Sequence, residues 1–310
     1  MKRFLVTGGA GFIGAHVSRN LISDGYEVVI ADNLSTGKIE NVPAEAHFVE
    51  CDLSSPDSIA LLPGGSYDAV IHLAAQSSGF LGQKNPYKDM QANVGSTMLL
   101  AGWCLENSIN RFVYASSMTV YGRKALDPLD ELVICEPVSH YGASKLASEN
   151  YLSIFEQEGL KSTSLRLYNV YGPGQNLGNL YQGMMSIYLA YLINGQELPI
   201  TGSLDRFRDF VFIDDVVSAI RKSVDVDHTP SPIYNVGSGQ KTTVREIVDA
   251  LMQELSLRAD YPVRELPGTE SDLFGAVANV NRIKDELKWR TQTDLGDGIK
   301  QMVEWARTQV

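Results

Sequence analysis

Apolar residues fall along the chain in short, nearly unbroken runs at 3–7, 27–31, 47–51, 69–73 and 111–116. Runs of this length rich in Val, Ile, Leu and Phe predict strands, and their lack of polar alternation predicts parallel strands buried on both faces. Residues 12–25, 86–107 and 141–159 have the length and apolar spacing of helices, with Gly25 and Gly159 marking two of the ends. This rhythm predicts an α/β fold on a doubly wound parallel sheet. A strand over 161–168 then meets Gly172-Pro173-Gly174, where the chain is expected to leave the sheet, so a boundary is placed near Asn169. Strands are also predicted at 209–213 and 233–236, with Asp214-Asp215 opening the helix between them.

Composition narrows the functional classes. The chain has 310 residues, 44% hydrophobic and 20% charged, which is globular in character and long enough for one large or two closely joined domains. No apolar run reaches the ~18 residues of a membrane span. Met1-Lys2-Arg3-Phe4 leads straight into a glycine loop rather than a signal-peptide core, so no membrane partner and a cytoplasmic location are expected. Cys51, Cys104 and Cys135 are odd in number and lack metal-type spacing, so they are read as reduced thiols, with no metal site. A net charge of -11 without a basic stripe argues against nucleic acid, while a few converging arginines could still receive an anionic substrate.

The run at 3–7 enters Gly8-Gly9-Ala10-Gly11-Phe12-Ile13-Gly14 and a helix follows. Glycine permits the tight turn and the close approach of backbone to a pyrophosphate, and the helix N-terminus favours negative charge. Both Gly9-x-Gly11-x-x-Gly14 and Gly8-x-x-Gly11-x-x-Gly14 can be read. The next strand reaches Asp32, about 20 residues onward, where a carboxylate accepts from the adenosine ribose and repels a 2′-phosphate. NAD is therefore the expected cofactor, with Asp52-Leu53 positioned to contact adenine. The expected architecture is a Rossmann domain over 1–168, joined by strands from 209–236, and a smaller mixed α/β substrate domain from 169–208 and 237–310.

Tyr141 and Lys145 form a Tyr-x-x-x-Lys, a pattern that chance alone supplies roughly half a time in this composition. Position gives it weight: the two lie one turn apart on a helix that follows the strand carrying Ser116-Ser117. An ammonium one turn away favours the phenolate, Ser117 can hydrogen-bond the reacting oxygen, and a nicotinamide can accept hydride, so a hydroxyl can be oxidised without a metal. His72, ending a strand, is read as a core residue rather than a catalyst.

The sequence resembles the NAD-dependent epimerase/dehydratase family of extended short-chain dehydrogenases over nearly its whole length. The resemblance is carried by 7–14, Asp32-Asn33-Leu34-Ser35-Thr36-Gly37, His72-Leu73-Ala74-Ala75, Asn93-Val94, Ser116-Ser117, Val120-Tyr121-Gly122, Tyr141-Gly142-Ala143-Ser144-Lys145, 166–174 and Arg208-Asp209-Phe210-Val211. It implies that Phe12, Ile13, Asn33, Ser35, Thr36, Gly37, Leu73, Ala74, Ala75, Asn93, Ser116 and Tyr168, with Tyr141 and Lys145, line the cofactor. It implies equally that Asn169 and Arg208 face a nucleotide-sugar beside Ser117 and Tyr141, and that helices 86–107 and 141–159 build a homodimer. Met90, Val94, Met98 and Trp103 add apolar surface for that, or are ordinary core.

Met118-Thr119 follow Ser117 where related 4,6-dehydratases place Asp-Glu, and neither can serve as the acid or base of dehydration. Decarboxylases and 3,5-epimerases are disfavoured in the same way, whereas C4 epimerases of UDP-sugars resemble the segment here. The leading expectation is C4 epimerisation through a transient 4-ketose; an NAD(P)H-dependent 4-keto reductase is the alternative within the class, and an NAD-sensing regulator the alternative outside it. Thr269 stands where galactose-type epimerases carry an arginine, leaving Arg208 and Arg206 as candidates to hold a diphosphate. Ala276 stands where they carry a tyrosine, which either opens the pocket to a 2-acetamido sugar or is offset by a shifted loop.

Overall fold

The computed structural model describes residues 1–123, 128–181, 183–268 and 274–309. Its strands are β1 (Arg3–Thr7), β2 (Glu27–Asp32), β3 (His47–Glu50), β4 (Ala69–His72), β5 (Arg111–Ser117), β6 (Lys161–Leu167), β7 (Asn169–Tyr171), β8 (Leu198–Thr201), β9 (Phe207–Arg208), β10 (Phe210–Phe212), β11 (Ile233–Val236), β12 (Thr242–Thr243) and β13 (Val263–Leu266). Seven form one parallel sheet in the order β11-β6-β5-β4-β1-β2-β3. The order reverses between β1 and β4, and such a switch point opens a crevice at the carboxyl ends of the strands.

The continuous apolar runs are explained by two covered faces. Phe4, Val6, Val28, Ile30, Ile71 and Val113 pack on one side of the sheet. Their neighbours Leu5, Val29, Val70, Phe112 and Tyr114 pack on the other. Helix Phe12–Ser23 ends before Gly25, whose φ of +80° a side chain would resist, and helix His140–Gln157 ends before Gly159 at φ +108°.

Two expectations need correction. The helix foreseen over 86–107 runs as Pro86–Met90, a π-helical turn at Gln91–Gly95, and Ser96–Glu106. The strand foreseen at 209–213 is shorter, because helix Ile213–Val224 already begins at Ile213, and β10 pairs with β7 rather than entering the large sheet. By contrast, β11 does join the large sheet, beside β6. The remaining short pairs, β7 with β10, β9 with β12 and β8 with β13, lie with helices Met184–Ile193 and Val244–Glu254 at the carboxyl side of the chain.

Helix His140–Gln157 is tied to the sheet by a buried ion pair. Arg166 on β6 donates from Nε to Glu149 Oε1 at 3.0 Å and from Nη2 to Oε2 at 2.7 Å, and Ser116 Oγ donates to Oε1 at 2.5 Å. Replacing Arg166 by Met leaves a buried carboxylate without its cation and is expected to cost about 3–5 kcal/mol of unfolding free energy. Urea unfolding of the single variant and of Glu149→Gln/Arg166→Met checks this, since the double variant should recover much of the loss.

Candidate active site

The β1 strand delivers the chain into a turn that only small residues fit. Gly8 has φ +68°, and a Cβ on it would lie 2.7 Å from the Ala74 amide nitrogen. A Cβ on Gly14 would collide with the Gly8 carbonyl. Gly11 caps helix Phe12–Ser23, whose first amides have no intrahelical acceptor and suit an anion. Asp32 ends β2, where it accepts from the Ala10 amide at 3.0 Å and the Leu34 amide at 2.8 Å. Those bonds orient the carboxylate and leave lone pairs for a ribose hydroxyl.

A cleft of about 1470 Å³ opens above these strand ends. That exceeds the ~300–1,000 Å³ of a site for one small ligand and suits two bound side by side. The cradle Gly8, Gly11, Phe12, Ile13 and Gly14 lines it, as do Asp32, Asn33, Ser35, Thr36, Gly37, Asp52, Leu53, Leu73, Ala74, Ala75, Ser116, Ser117, Tyr141, Lys145, Tyr168, Asn169 and Arg208. Tyr168 Oη, Asn169 Oδ1 and Gln175 Oε1 are buried on lining residues and have no hydrogen-bond partner among the described residues. With the glycine cradle and Asp32, these orphaned atoms fit a dinucleotide and a polar second ligand.

Two expected site residues stand behind the wall. Asn93 is 1% exposed within the π-helical turn, accepting from the Gln76 amide at 2.9 Å and donating to the Gln76 carbonyl at 3.0 Å. It holds the loop that follows β4 and is not among the residues lining the cleft. Ala276 is 3% exposed and packs in a cluster with Met118, Val120, Tyr121, Leu129 and Tyr168, so it supports the wall from the second layer. Thr269 lies outside the described residues. Of the two arginines, Arg208 lines the cleft, whereas Arg206 donates to the carbonyls of Ser203 and Thr201 and is not part of the wall.

His72 is a neutral core ring. Burial pushes its pKa down to about 3, with Lys145 adding to the shift, and its Nδ1 meets Thr7 Oγ1 at 2.7 Å. Thr7 Oγ1 in turn accepts from the Leu73 and Ala74 amides, both at 3.2 Å, which fixes the strand end facing the cradle.

Ser117 ends β5, and Tyr141 and Lys145 lie in the first turns of a helix whose N-cap, Ser139, accepts from the Gly142 amide at 3.0 Å. Thr119 Oγ1 donates to Ser117 Oγ at 3.0 Å, which leaves the serine proton for another acceptor. Lys145 Nζ donates to the Ala115 carbonyl at 2.7 Å and stands 5.9 Å from the Tyr141 ring centroid. Sequence reasoning expected the ammonium to lower the phenol. Burial dominates instead: it pushes Tyr141 up to about 12, against the pull of a Ser117 hydrogen bond, with Asp89 adding to the rise. It also pushes Lys145 down to about 7, against the upward pull of Asp89 and Glu149. Gln76 and Asp89 also line the cleft, and no motif singled them out. An acid at position 89 and an amide at 93, four apart on one helix face, was the available signal.

The profile of the NAD dependent epimerase/dehydratase family matches residues 4–237. A putative UDP-glucose 4-epimerase of Methanocaldococcus jannaschii is 33% identical over 305 residues, 98% of each chain. Among solved structures, UDP-glucose 4-epimerase of Thermotoga maritima with UDP-glucose superposes with a TM-score of 0.93 at 32% identity over 99% of each chain. A dTDP-glucose 4,6-dehydratase of Streptomyces venezuelae with NAD bound does so with a TM-score of 0.91 at 28% identity, over 99% of this chain and 97% of that one.

The lowered Lys145 pKa carries a stability signature. Between about 7 and the ordinary 10.5 the unfolded chain holds the Lys145 proton and the folded chain does not, so folding stability from this group rises with pH across that window. The cost of burying the ammonium is present in full below pH 7. Lys145→Met removes the term, so the wild-type protein should gain stability relative to the variant from pH 7 to 10, as read by denaturant unfolding at each pH.

Proposed function

The chain belongs to the NAD dependent epimerase/dehydratase family, and we propose that within it the protein interconverts UDP-sugars epimeric at C4. One observation carries the choice of reaction. Beside Ser117, where dehydration needs an acid for the leaving hydroxyl and a base for the C5 proton, Met118 and Thr119 line the cleft, and the Thr119 hydroxyl is engaged with Ser117. Oxidation and reduction at one carbon need neither.

NAD, when bound, supplies the acceptor and later the donor of the hydride. Tyr141, as its phenolate, would take the proton of the 4-hydroxyl on Oη and become the phenol, and Ser117 Oγ would hydrogen-bond the same sugar oxygen. Lys145 stabilises the phenolate while it carries its proton. The cleft would give the 4-ketose room to turn over, and Tyr141 Oη would then return the proton to the same sugar oxygen. Asn169 and Arg208 hold the nucleotide-sugar, with Arg208 offering the charge for its diphosphate. Over a full cycle no cofactor is consumed.

Purified protein should convert UDP-glucose and UDP-galactose into the same equilibrium mixture without added reductant. Stoichiometric consumption of reduced nicotinamide with a 4-keto sugar nucleotide would place it among the reductases instead. Tyr141→Phe keeps the ring and deletes the acid–base, and is expected to lower turnover by about 10²–10⁴-fold with nucleotide binding retained.

We also propose a homodimer across helices Pro86–Met90, Ser96–Glu106 and His140–Gln157. Met90, Met98, Tyr151 and Ile154 are apolar and exposed there, Ile154 at 51%, whereas Val94 and Trp103 belong to the core. Light scattering at micromolar concentration should give twice the chain mass, and a monomer would contradict the reading.

A further inference from the structure

Asp89 is a buried charge that the reaction described above does not use. It is 1% exposed, sits in helix Pro86–Met90 and lines the cleft. Its Oδ1 accepts from Gln76 Nε2 at 2.5 Å and its Oδ2 from Ser144 Oγ at 2.7 Å. Both donors are neutral, and a carboxylate removed from water is costly unless a cation compensates it. Gly82 lets the neighbouring helix Gly79–Lys84 close over it, since a Cβ there would lie 2.7 Å from Oδ1.

The bonds of Asp89 converge on the catalytic turn. Ser144 stands between Tyr141 and Lys145, and its hydroxyl also receives Asn93 Nδ2 at 2.9 Å. Gln76 follows Leu73, Ala74 and Ala75, which line the cleft opposite the glycine cradle. Asp89 thus joins the loop after β4 to the helix that carries the acid–base.

The surroundings of Lys145 leave Asp89 as its counter-charge. From β4, His72 is neutral. From β5, the Tyr114 ring lies 4.7 Å from Nζ, and burial pushes its hydroxyl up, so it is neutral too. On the same helix Tyr141 is raised and Glu149 is committed to Arg166 of β6, so those two charges offset each other. Among the described residues facing Lys145, Asp89 is the anion without a cation of its own. Of the two carboxylates that oppose the burial of Lys145, Asp89 acts more strongly.

We propose that Asp89 is a positioning residue for the reaction, anchoring the helix turn that bears Tyr141 and Lys145 and standing as the buried counter-charge of the Lys145 ammonium. The proposal rests on the C4 oxidation and reduction described under the proposed function. Without Asp89 the ammonium is held in the interior by a backbone carbonyl and aromatic faces, and it sheds its proton more readily.

The test uses NAD-loaded protein labelled with ¹³C at lysine Cε and titrated by NMR, with the Lys145 signal identified by its loss in Lys145→Met. Asp89→Asn removes the charge at nearly constant shape. The Lys145 titration should fall by about one pH unit. Turnover of UDP-glucose and UDP-galactose should fall about tenfold or more, with KM within about twofold. Asp89→Glu should restore much of both, and Asp89→Ser gives the same reading as Asn should the amide not be accommodated. Ser144→Ala cuts the anchor and keeps the charge, so it should lower kcat with the titration unmoved. An unchanged Lys145 titration in the neutral variants, or a shifted titration with unchanged kcat, overturns the proposal. If the wild-type protein turns over no UDP-sugar, the C4 reading fails on its own, and the titration alone then upholds or overturns the counter-charge.

Discussion

Glu149 and Arg166 face each other beneath the floor of the cleft, each side chain 3% exposed, and the geometry of the site is built outward from that pair. Glu149 lies one helical turn beyond Lys145 and two beyond Tyr141, while Arg166 sits on β6 and Ser116, bonded to the same carboxylate, on β5. The pair therefore fixes the distance between Tyr141 and Ser117, the neighbour of Ser116. The guanidinium also stacks 4.8 Å from the Tyr121 ring and donates to the Glu131 carbonyl at 3.2 Å. Tyr121 Oη donates to Asn235 Oδ1 on β11 at 2.7 Å. Strands β5, β6 and β11 and helix His140–Gln157 are thus locked by one network whose bonds strengthen one another away from water.

The same exclusion of water sets the chemistry. A phenol raised to about 12 and an ammonium lowered to about 7 are both held toward their neutral forms. The chain's own charges then decide how the proton is shared. Glu149 is neutralised by Arg166, so it contributes mainly position, whereas Asp89 has only neutral hydrogen-bond donors and contributes field. Two carboxylates on neighbouring helices thus serve different ends because their partners differ.

Much of the fold was legible because its signals are local and mutually consistent: five apolar runs became five strands of the sheet, and the glycine loop sat between strand and helix as its spacing required. Asp32, Ser117, Tyr141 and Lys145, expected from equally local signals, line one cleft. What escaped depends on tertiary context. Nothing in 86–107 marks the π-helical turn, which accompanies the buried amide of Asn93 bonding to Gln76 and Ser144. Asn93 and Ala276 were placed in the site by motif, yet burial puts each one layer behind it. The direction of the Tyr141 shift escaped for a related reason, since a sequence displays a neighbouring charge but not the depth at which both groups are buried.

Folds of this kind host dehydration, reduction and epimerisation, so the reaction has to be read from the few groups that differ between them. Each of these reactions asks for a hydride acceptor or donor, a phenol and a hydroxyl at the reacting oxygen; dehydration asks in addition for a proton donor and acceptor next to that hydroxyl. The Thr119 side chain fills that place with a bond to Ser117 Oγ at 3.0 Å, and Met118 beside it is apolar. Asp89, the buried carboxylate nearest in the wiring to the catalytic turn, is occupied by Gln76 and Ser144. Such a cleft suits the proposed removal and return of hydrogen at one carbon, since among the described residues beside Ser117 neither Met118 nor Thr119 brings a carboxyl group to expel a hydroxyl. In the proposed reaction the ketone is reduced again at the same carbon, and the stereochemical outcome depends on which face of the sugar is then turned toward the cofactor.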